Sequence, residues 1–154
     1  MRIELLSWDE ARERAAPIRF EVFVAEQGVP REIELDEMDS SSLHALAREA
    51  GGRVVGTGRL LPAETEAGRA VSHIGRMAVL REMRGRGVGA ALLRALIGAA
   101  RERGDAEIVL SAQTHAIGFY RAHGFREEGA QYMEAGIAHR SMRCLLLAQN
   151  GGLR

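Results

Sequence analysis

The residues best placed for chemistry are three glycines that alternate over residues 85–89. An apolar run over residues 74–80 precedes them, and a run with helical periodicity follows and ends at Arg103. This order predicts a strand, a glycine loop and a helix N-terminus. Glycine lets the backbone approach a ligand, while the first N–H groups of a helix and its dipole favour an anion. Three arginines add positive charge at the same place: Arg81, Arg84 and Arg86. We therefore expect a phosphorylated cofactor here.

Two other phosphate sites fit this loop less well. Residues 85–90 also match the dinucleotide pattern G-x-G-x-x-A, but that pattern should open its domain and be followed by an acid at the end of the next strand. Here it lies in the middle of the chain, and Asp105 and Glu107 lie at the start of the next predicted strand. A Walker A loop requires a lysine, and the sequence contains none.

The size of the chain predicts one domain, and its charge is balanced. A chain of 154 residues with 46% hydrophobic residues is most simply a single domain, here 1–148, with a frayed tail at 149–154. The 21 basic and 21 acidic residues cancel, so the charge balance does not indicate nucleic acid or a membrane as a partner. The sequence shows no signal peptide and no long apolar span, so we expect a cytoplasmic protein.

Cysteine and histidine usage predicts neither a metal site nor a covalent acyl-enzyme. Cys144 is the single cysteine and lies in an apolar run, which is typical of a buried structural thiol. The five histidines share no metal-ligand spacing on one helix. No metal is expected.

Periodicity and turn signals predict the order β-α-α-β-β-β-α-β-α-β-β. This order indicates an α/β (α+β) fold with a mixed central sheet and helices on both faces. The first helix is expected over about residues 8–24, with Ser7 as its N-cap and a break or kink at Pro17. Gly51 and Gly52 predict a hairpin turn.

The later elements follow the glycine loop. Strands are expected over residues 73–80, 107–112 and 139–148, and a helix over 89–103, with the first two strands parallel. Residues 62–70 are predicted to be a polar loop and residues 129–137 to be rich in turns.

A second signature lies about 30 residues beyond the glycine loop and on the expected elements. Residues 84–89 (RGRGVG) match R/Q-x-x-G-x-G/A, and residues 113–125 (QTHAIGFYRAHGF) resemble N-x-x-A-x-x-x-Y-x-x-x-G-F with Gln113 in place of Asn. Over nearly all its length the chain resembles the GNAT (GCN5-related) N-acetyltransferases. Four further segments resemble the small ElaA/YjcF-like bacterial subgroup: FEVFVAEQGVP, SLHALA, FYRAHGF and EAGIAHRSM.

The resemblance implies the GNAT acyl-CoA N-acyltransferase fold and acetyl-CoA as the cofactor. The loop would hold the pyrophosphate through its N–H groups, and the edge of the preceding strand would bind the pantetheine amides. The positions implied for cofactor binding are Met77, Ala78, Val79, Arg84, Gly85, Arg86, Gly87, Val88, Gly89, Ala90, Gln113 and Tyr120.

The resemblance also implies the catalytic groups. Tyr120 matches the usual general acid, which protonates the leaving thiolate, and the N–H of Val79 would stabilise the oxyanion of the tetrahedral intermediate. His73 is a candidate for the base that deprotonates the amine, and strand alternation predicts that it shares a face with Gly75 and Met77.

The acceptor is expected to bind near residues 25–42. Glu26, Gln27 and His44 are the candidates for substrate binding, although His44 also fits a half-buried structural histidine. Six acids between Glu26 and Asp39 suit a cationic amine, and they equally fit a solvated surface.

The sequence therefore predicts an N-acetyltransferase that moves acetyl from acetyl-CoA to a primary amine of a small molecule by direct attack in a ternary complex. One alternative is a non-enzymatic acyl-CoA-binding or regulatory protein on the same fold. Another is an acyltransferase for a peptide or protein N-terminus. A homodimer fits the family, but no interface is evident in the sequence.

Overall fold

A computed structural model of the chain describes residues 1–146. The predicted tail at 149–154 and the last two residues of the predicted final strand lie outside this range. The chain divides into two compact units. The first unit comprises residues 1–62 and 74–97, and the second comprises residues 63–73 and the described residues from 98 onward. A strand over residues 69–79 and a helix over residues 88–103 each contribute residues to both units.

The first unit is an antiparallel sheet with the strand order β1-β2-β3-β5. Its strands are β1 (Arg2–Leu6), β2 (Leu43–Arg48), β3 (Val54–Leu60) and the second half of β5 (Arg69–Val79). The predicted hairpin at Gly51 and Gly52 joins β2 to β3 and is confirmed.

Helix α1 (Trp8–Arg19) begins at the predicted cap. The Ser7 Oγ accepts the N–H of Glu10 at 3.3 Å and the Glu10 carboxylate accepts the N–H of Ser7 at 3.2 Å, a complete capping box. The predicted break at Pro17 is wrong, because α1 continues through Pro17 to Arg19. The chain then winds into a π-helix, Phe20–Glu26, with the wider i→i+5 hydrogen bonding of that helix.

Two helices flank the sheet of the first unit. Ile18 and Val22, on α1 and the π-helix, pack on Ala78 of β5. Helix α3 (Val88–Arg103) packs on the other face, since a Cβ at Gly56 of β3 would meet Val88 and Leu92. Because Gly56 and its neighbour Thr57, which pairs with Ala78, point to opposite faces, this unit has a helix on each face as predicted.

Helix α3 buries the apolar stripe that its sequence predicts. The buried residues of this stripe are Leu92, Leu93, Leu96, Ile97 and Ala100. Gly104 follows in the left-handed conformation, with φ of 89°, as expected of a helix C-cap glycine.

The second unit is built from the first half of β5, a short strand β4 (Glu64–Glu66), β6 (Glu107–Gln113), β7 (Arg126–Glu134) and β8 (Ile137–Leu145). Strands β5 and β6 are parallel, as predicted, and β6-β8-β7 are antiparallel. Helix α4 (Ile117–Arg121) follows a 3₁₀ turn after β6.

One loop prediction in this unit is wrong, and a second holds only for the turn at Ala135 and Gly136 between β7 and β8. Residues 62–70 form β4 and the start of β5, which pair as a hairpin around Ala67 and Gly68 with φ of 52° and 80°. Residues 129–134 continue β7, and Gly129 lies where the register of β7 against β8 shifts. Glycine therefore marks a bulge inside this strand instead of a turn.

The remaining segment, residues 25–42, contains α2 (Arg31–Glu34) and a 3₁₀ turn at Asp39–Ser41. Within residues 1–146 no helix has the length and apolar character that crossing a bilayer requires.

Candidate functional site

The glycine loop has the backbone of an anion site. It leaves β5 through a 3₁₀ turn, Arg81–Met83, and its residues 84–87 are exposed. Gly85 and Gly87 have φ of 78° and 81°, and no described atom beyond their chain neighbours lies within 4 Å of a Cβ placed there. The N–H of Ala91 donates to the Gly87 carbonyl at 3.1 Å. The N–H groups of residues 88–90 therefore come before the first such bond and lie at the open end of α3.

The end of β5 turns one peptide edge away from β3. The N–H of Leu80 donates to the Val55 carbonyl at 2.9 Å, and Val79 is the Cα partner of Gly56. In an antiparallel ladder these bonds alternate, so Val79 and Gly56 form a non-hydrogen-bonded pair. The N–H and C=O of Val79 consequently point to the far edge of β5. Its carbonyl accepts the Nε–H of Arg84 there at 2.9 Å.

Strand β5 carries a β-bulge at Arg76, whose φ is 51°. Thr57 and Arg59, two residues apart on β3, face Ala78 and Gly75, which are three residues apart on β5. The extra residue bends the strand and increases its twist at this point.

The bulge corrects the predicted face of Met77. Alternation holds from His73 to Gly75, but the inserted residue reverses it for the residues that follow. Met77 thus lies on the face of Gly58, since a Cβ on that glycine would meet the Met77 Sδ. His73 and Met77 do not share a face.

Glu26 lies against the loop arginines. Its Oε2 accepts from Nη2 of Arg81 and Nη1 of Arg84, both at 3.0 Å, and its Oε1 accepts from Nη2 of Arg84 at 2.8 Å. The hydrogen bonds from Arg84 lower the pKa of Glu26 below its usual range. Gln27, the other candidate in this stretch, follows the π-helix and is half-buried.

Three further acids of residues 25–42 are neutralised by arginines: Glu34, Asp36 and Asp39. Arg19 donates to Glu34 at 3.0 Å and to Asp39 at 2.7 Å, while Arg59 donates to Asp36 at 2.7 Å and to Asp39 at 2.9 Å. Burial raises the pKa of Glu34. In Asp39 burial is again the largest influence, but hydrogen bonds from Arg19, from the Asp36 N–H and from Arg59 together outweigh it and lower the pKa.

Arg76 completes this cluster from the bulge. Its Nε lies 3.0 Å from the Glu34 carboxylate and its Nη2 lies 3.1 Å from Asp36. Of the six acids that suited a cationic substrate, four therefore already face guanidinium groups, and Glu32 and Glu37 are exposed on the surface. Those four carboxylates are therefore paired with arginines, which fits neither of the two roles that the sequence left open for them, a cation site or a solvated surface.

His44 belongs to the same interior. Its side chain is 1% exposed, its Nε2–H donates to the Asp39 carbonyl at 2.9 Å and its ring packs on Trp8. Burial lowers the pKa of His44 and favours the neutral ring. Of the two roles that the sequence offered, these contacts favour the structural one.

Tyr120 lies in the second unit, on α4. Its side chain is 9% exposed and its ring contacts Phe119 and Phe125 with centroids 5.0 Å and 6.0 Å away. Burial raises the pKa of Tyr120 to about 12, so the phenol keeps its proton at neutral pH.

The other candidates of the second unit lie on its strands. Gln113 ends β6, half-buried, with its Oε1 2.8 Å from the Nε2 of His115. His73 is half-buried on β5 opposite Val109. Cys144 on β8 is buried as predicted, and burial raises its pKa.

Comparison with known proteins identifies the family. A profile described as an acetyltransferase (GNAT) domain matches residues 9–146. The chain belongs to the GNAT family. A GNAT protein of Bacillus subtilis (strain 168), the uncharacterized N-acetyltransferase YjcF, is 35% identical over 143 residues, which cover 92% of this chain and 98% of YjcF.

Solved GNAT structures agree in fold. An acyl-CoA N-acyltransferase from Pseudomonas aeruginosa is 31% identical with a TM-score of 0.78, and Escherichia coli ElaA is 26% identical with a TM-score of 0.78. Each alignment covers 93% of this chain and 98% of the other. The mixed α/β class and the ElaA/YjcF-like resemblance are confirmed, and the chain is an acyltransferase.

The sequence reasoning missed the arginines of this GNAT protein that pair with the acids of residues 25–42. Arg19, Arg59 and Arg76 each pair with acids 15 to 42 residues away along the chain. Each lies inside an otherwise apolar run, and this was the signal available. A charge placed among core positions needs a buried partner.

Proposed function

We propose that this GNAT protein transfers acetyl from acetyl-CoA to a primary amine of a small molecule by direct attack in a ternary complex. The observation that carries the proposal is the far edge of β5 at Val79, which continues into the glycine loop. One continuous stretch thereby offers a free-edge N–H for a carbonyl oxygen and, a few residues later, the N–H groups of an anion site.

The loop fits the phosphates of coenzyme A. Gly85 and Gly87 are exposed and left-handed, with space where a side chain would stand. Residues 85–90 supply N–H groups, and Arg84 and Arg86 add positive charge. Acetyl-CoA supplies an acyl group activated as a thioester. The edge of Met77, Ala78 and Val79 would bind the pantetheine amides as an added strand would, and Gln113 remains a predicted contact.

The N–H of Val79 would hold the carbonyl oxygen where negative charge develops during attack. A donor fixed by strand geometry needs no reorganisation at that moment. Tyr120 would give its proton to the departing sulfur. The burial that raises the pKa of Tyr120 would equally disfavour a bare thiolate beside it, so the phenol suits this role.

The base and the acceptor are less constrained. His73 remains the candidate that receives the proton of the amine, directly or through water. Because arginines neutralise most acids of residues 25–42, recognition of the acceptor does not depend on a cluster of free carboxylates. A small primary amine remains the proposed acceptor class, and the burial of Cys144 agrees with direct attack.

The test combines cofactor binding with turnover. Calorimetry with acetyl-CoA should show binding that Gly87→Glu abolishes, because a carboxylate would stand where phosphate binds. The matched control is Gly52→Glu, at another open left-handed glycine (φ 91°) in the β2–β3 hairpin. A panel of polyamines, amino sugars, amino acids and peptides should show release of free CoA with a small amine. Unaltered binding by Gly87→Glu, or release only with peptides, would contradict the proposal.

A further inference from the structure

Glu26 ties the end of the π-helix to both ends of the turn before the glycine loop. Its two carboxylate oxygens accept three hydrogen bonds of 2.8–3.0 Å from Arg81 and Arg84. Two of these come from Arg84 in the bidentate geometry that guanidinium and carboxylate favour. The Glu26 side chain is 14% exposed, while the Arg84 side chain is 43% exposed, so salt in the solvent can still screen this pair.

The same guanidinium holds the peptide edge that the proposed reaction uses. While both Nη atoms of Arg84 bond Glu26, its Nε–H donates to the Val79 carbonyl at 2.9 Å. In a strand the C=O and N–H of one residue point to the same side. Arg84 therefore lies on the edge where the Val79 N–H emerges, and Glu26 fixes the orientation of Arg84.

These contacts make Glu26 a poor candidate for a general base or for direct binding of the acceptor amine. Hydrogen bonds from Arg84 hold its pKa below the usual range, so the carboxylate stays ionised and is a poor base. Both of its oxygens face guanidinium groups, so an amine acceptor would have to displace them. Its charge also offsets the positive charge of Arg81 and Arg84 next to the loop.

We infer that Glu26 is a positioning residue that, through Arg84, orients the Val79 peptide for acyl transfer. Its negative charge also weakens the electrostatic attraction between the loop arginines and the cofactor phosphates. The inference rests on the proposed function and deepens it. It replaces the predicted contact of Glu26 with the substrate by an action through another residue.

Opposite effects of Glu26→Gln on turnover and on cofactor affinity follow from this arrangement. Without the carboxylate charge the two arginines attract the phosphates more strongly, so the Kd for CoA should fall by about 2- to 10-fold at low salt and less at high salt. The Val79 peptide loses its fixed orientation, so kcat should fall by about 10-fold or more, since small misplacements of catalytic groups are costly.

Arg84→Lys tests the geometry separately from the charge. Lysine keeps the positive charge but cannot make the bidentate bond and the Nε bond together. Its kcat should fall as in Glu26→Gln while its Kd for CoA stays within about 2-fold of the wild type. Glu13→Gln, an exposed carboxylate on α1 outside residues 25–42, is the control and should change neither quantity.

The experiment measures the Kd for CoA by calorimetry, kcat with an amine found by the panel, and the amide resonance of Val79 in the free protein by NMR. A tighter Kd, a lower kcat and a shifted Val79 resonance in Glu26→Gln, absent in Glu13→Gln, support the inference. Unchanged values overturn it. A weaker Kd together with a lower kcat and a lower unfolding midpoint also overturns it, because that pattern indicates a purely structural role.

Failure of the inference is distinguishable from failure of the proposed function. If the wild-type chain neither binds CoA nor acetylates an amine, the proposed function fails and the inference fails with it. If the wild type does both and Glu26→Gln behaves like the wild type, only the inference fails.

Discussion

At the scale of single residues, the burial of Tyr120 has two effects: it packs the ring and it raises the pKa of the phenol. Its ring packs between Phe119 and Phe125, which fixes the direction of the phenol. The same burial raises its pKa to about 12 and keeps the proton in place at neutral pH. Packing and proton supply are therefore properties of one environment.

The variant Tyr120→Phe keeps the packing of the ring and removes the phenol proton. Turnover should fall where chemistry limits the rate, by about 10²-fold or more, with little change in CoA affinity, because only the proton donor is lost. Stability at alkaline pH should change as well. A pKa raised from 10.0 to about 12 means that the unfolded chain releases the proton first. The stabilisation, up to about 3 kcal/mol, is complete below pH 10 and is lost as pH rises towards 12.

The measurement is urea unfolding at about pH 9 and about pH 11 for wild type and variant. Tyr120→Phe should lose less stability over this interval than the wild type. Tyr132→Phe removes a phenol that is 37% exposed and should follow the wild type. Equal losses for Tyr120→Phe and wild type would refute the alkaline effect, and equal turnover would remove Tyr120 as the general acid.

Residue identities in the motifs were readable from the sequence, but their charge partners were not. The glycine loop, Tyr120 and the buried Cys144 follow from local patterns. The pairing of Arg19 with Asp39, or of Arg76 with Glu34, joins segments 20 and 42 residues apart. The composition shows that acids and arginines are equal in number but not which of them pair. The acids of residues 25–42 therefore remained candidates for binding a cationic ligand.

At the scale of elements, β3 and α3 approach closely because β3 has glycines on the face beneath the helix. A Cβ at Gly56 would lie 3.0 Å from Leu92 Cδ1, 3.0 Å from Val88 Cγ1 and 3.2 Å from the Ala78 carbonyl oxygen. Val88 opens α3 directly after the glycine loop, so this packing also sets where the loop stands.

Gly56→Ala should therefore destabilise the chain by about 1–3 kcal/mol, as overpacking of a core does. It should also weaken CoA binding, because the first turn of α3 must shift. Urea unfolding and calorimetry measure the two effects. Gly51→Ala is the control, since its Cβ would have open space at an ordinary φ. If the stability of Gly56→Ala is unchanged, α3 can shift without loss of stability, which would contradict close packing of α3 on Gly56.

Element boundaries were predictable where patterns were strong. Strand β6 begins at its predicted residue and ends one residue later than expected, and α3 begins one residue earlier than expected. The errors have local causes. Gly129 marks a bulge and not a turn. Gly75 directly precedes the bulge at Arg76, and the strand prediction did not use this signal. The π-helix after α1 also lacks a pattern, because its apolar positions fit an ordinary helix nearly as well.

At the scale of the whole molecule, composition restricts where the chain itself can be acylated. Arginine is the sole strongly basic side chain, and guanidinium stays protonated, so it is not an acyl acceptor under ordinary conditions. The single cysteine, Cys144, is 7% exposed, and burial raises its pKa. Direct attack by an external amine is the route that this composition favours.

Mass spectrometry of the untagged chain incubated with acetyl-CoA alone tests that route. We expect at most one added acetyl group, on the α-amino group, because the thiolate of Cys144 is scarce and shielded. A transient acyl group on Cys144, trapped by acid quenching and absent from Cys144→Ala, would contradict direct attack. If Cys144→Ala instead retains full turnover with a small amine, the sulfur has no part in the reaction. The acyl group would then pass directly from the thioester to the amine, through a tetrahedral intermediate and without an acyl-enzyme.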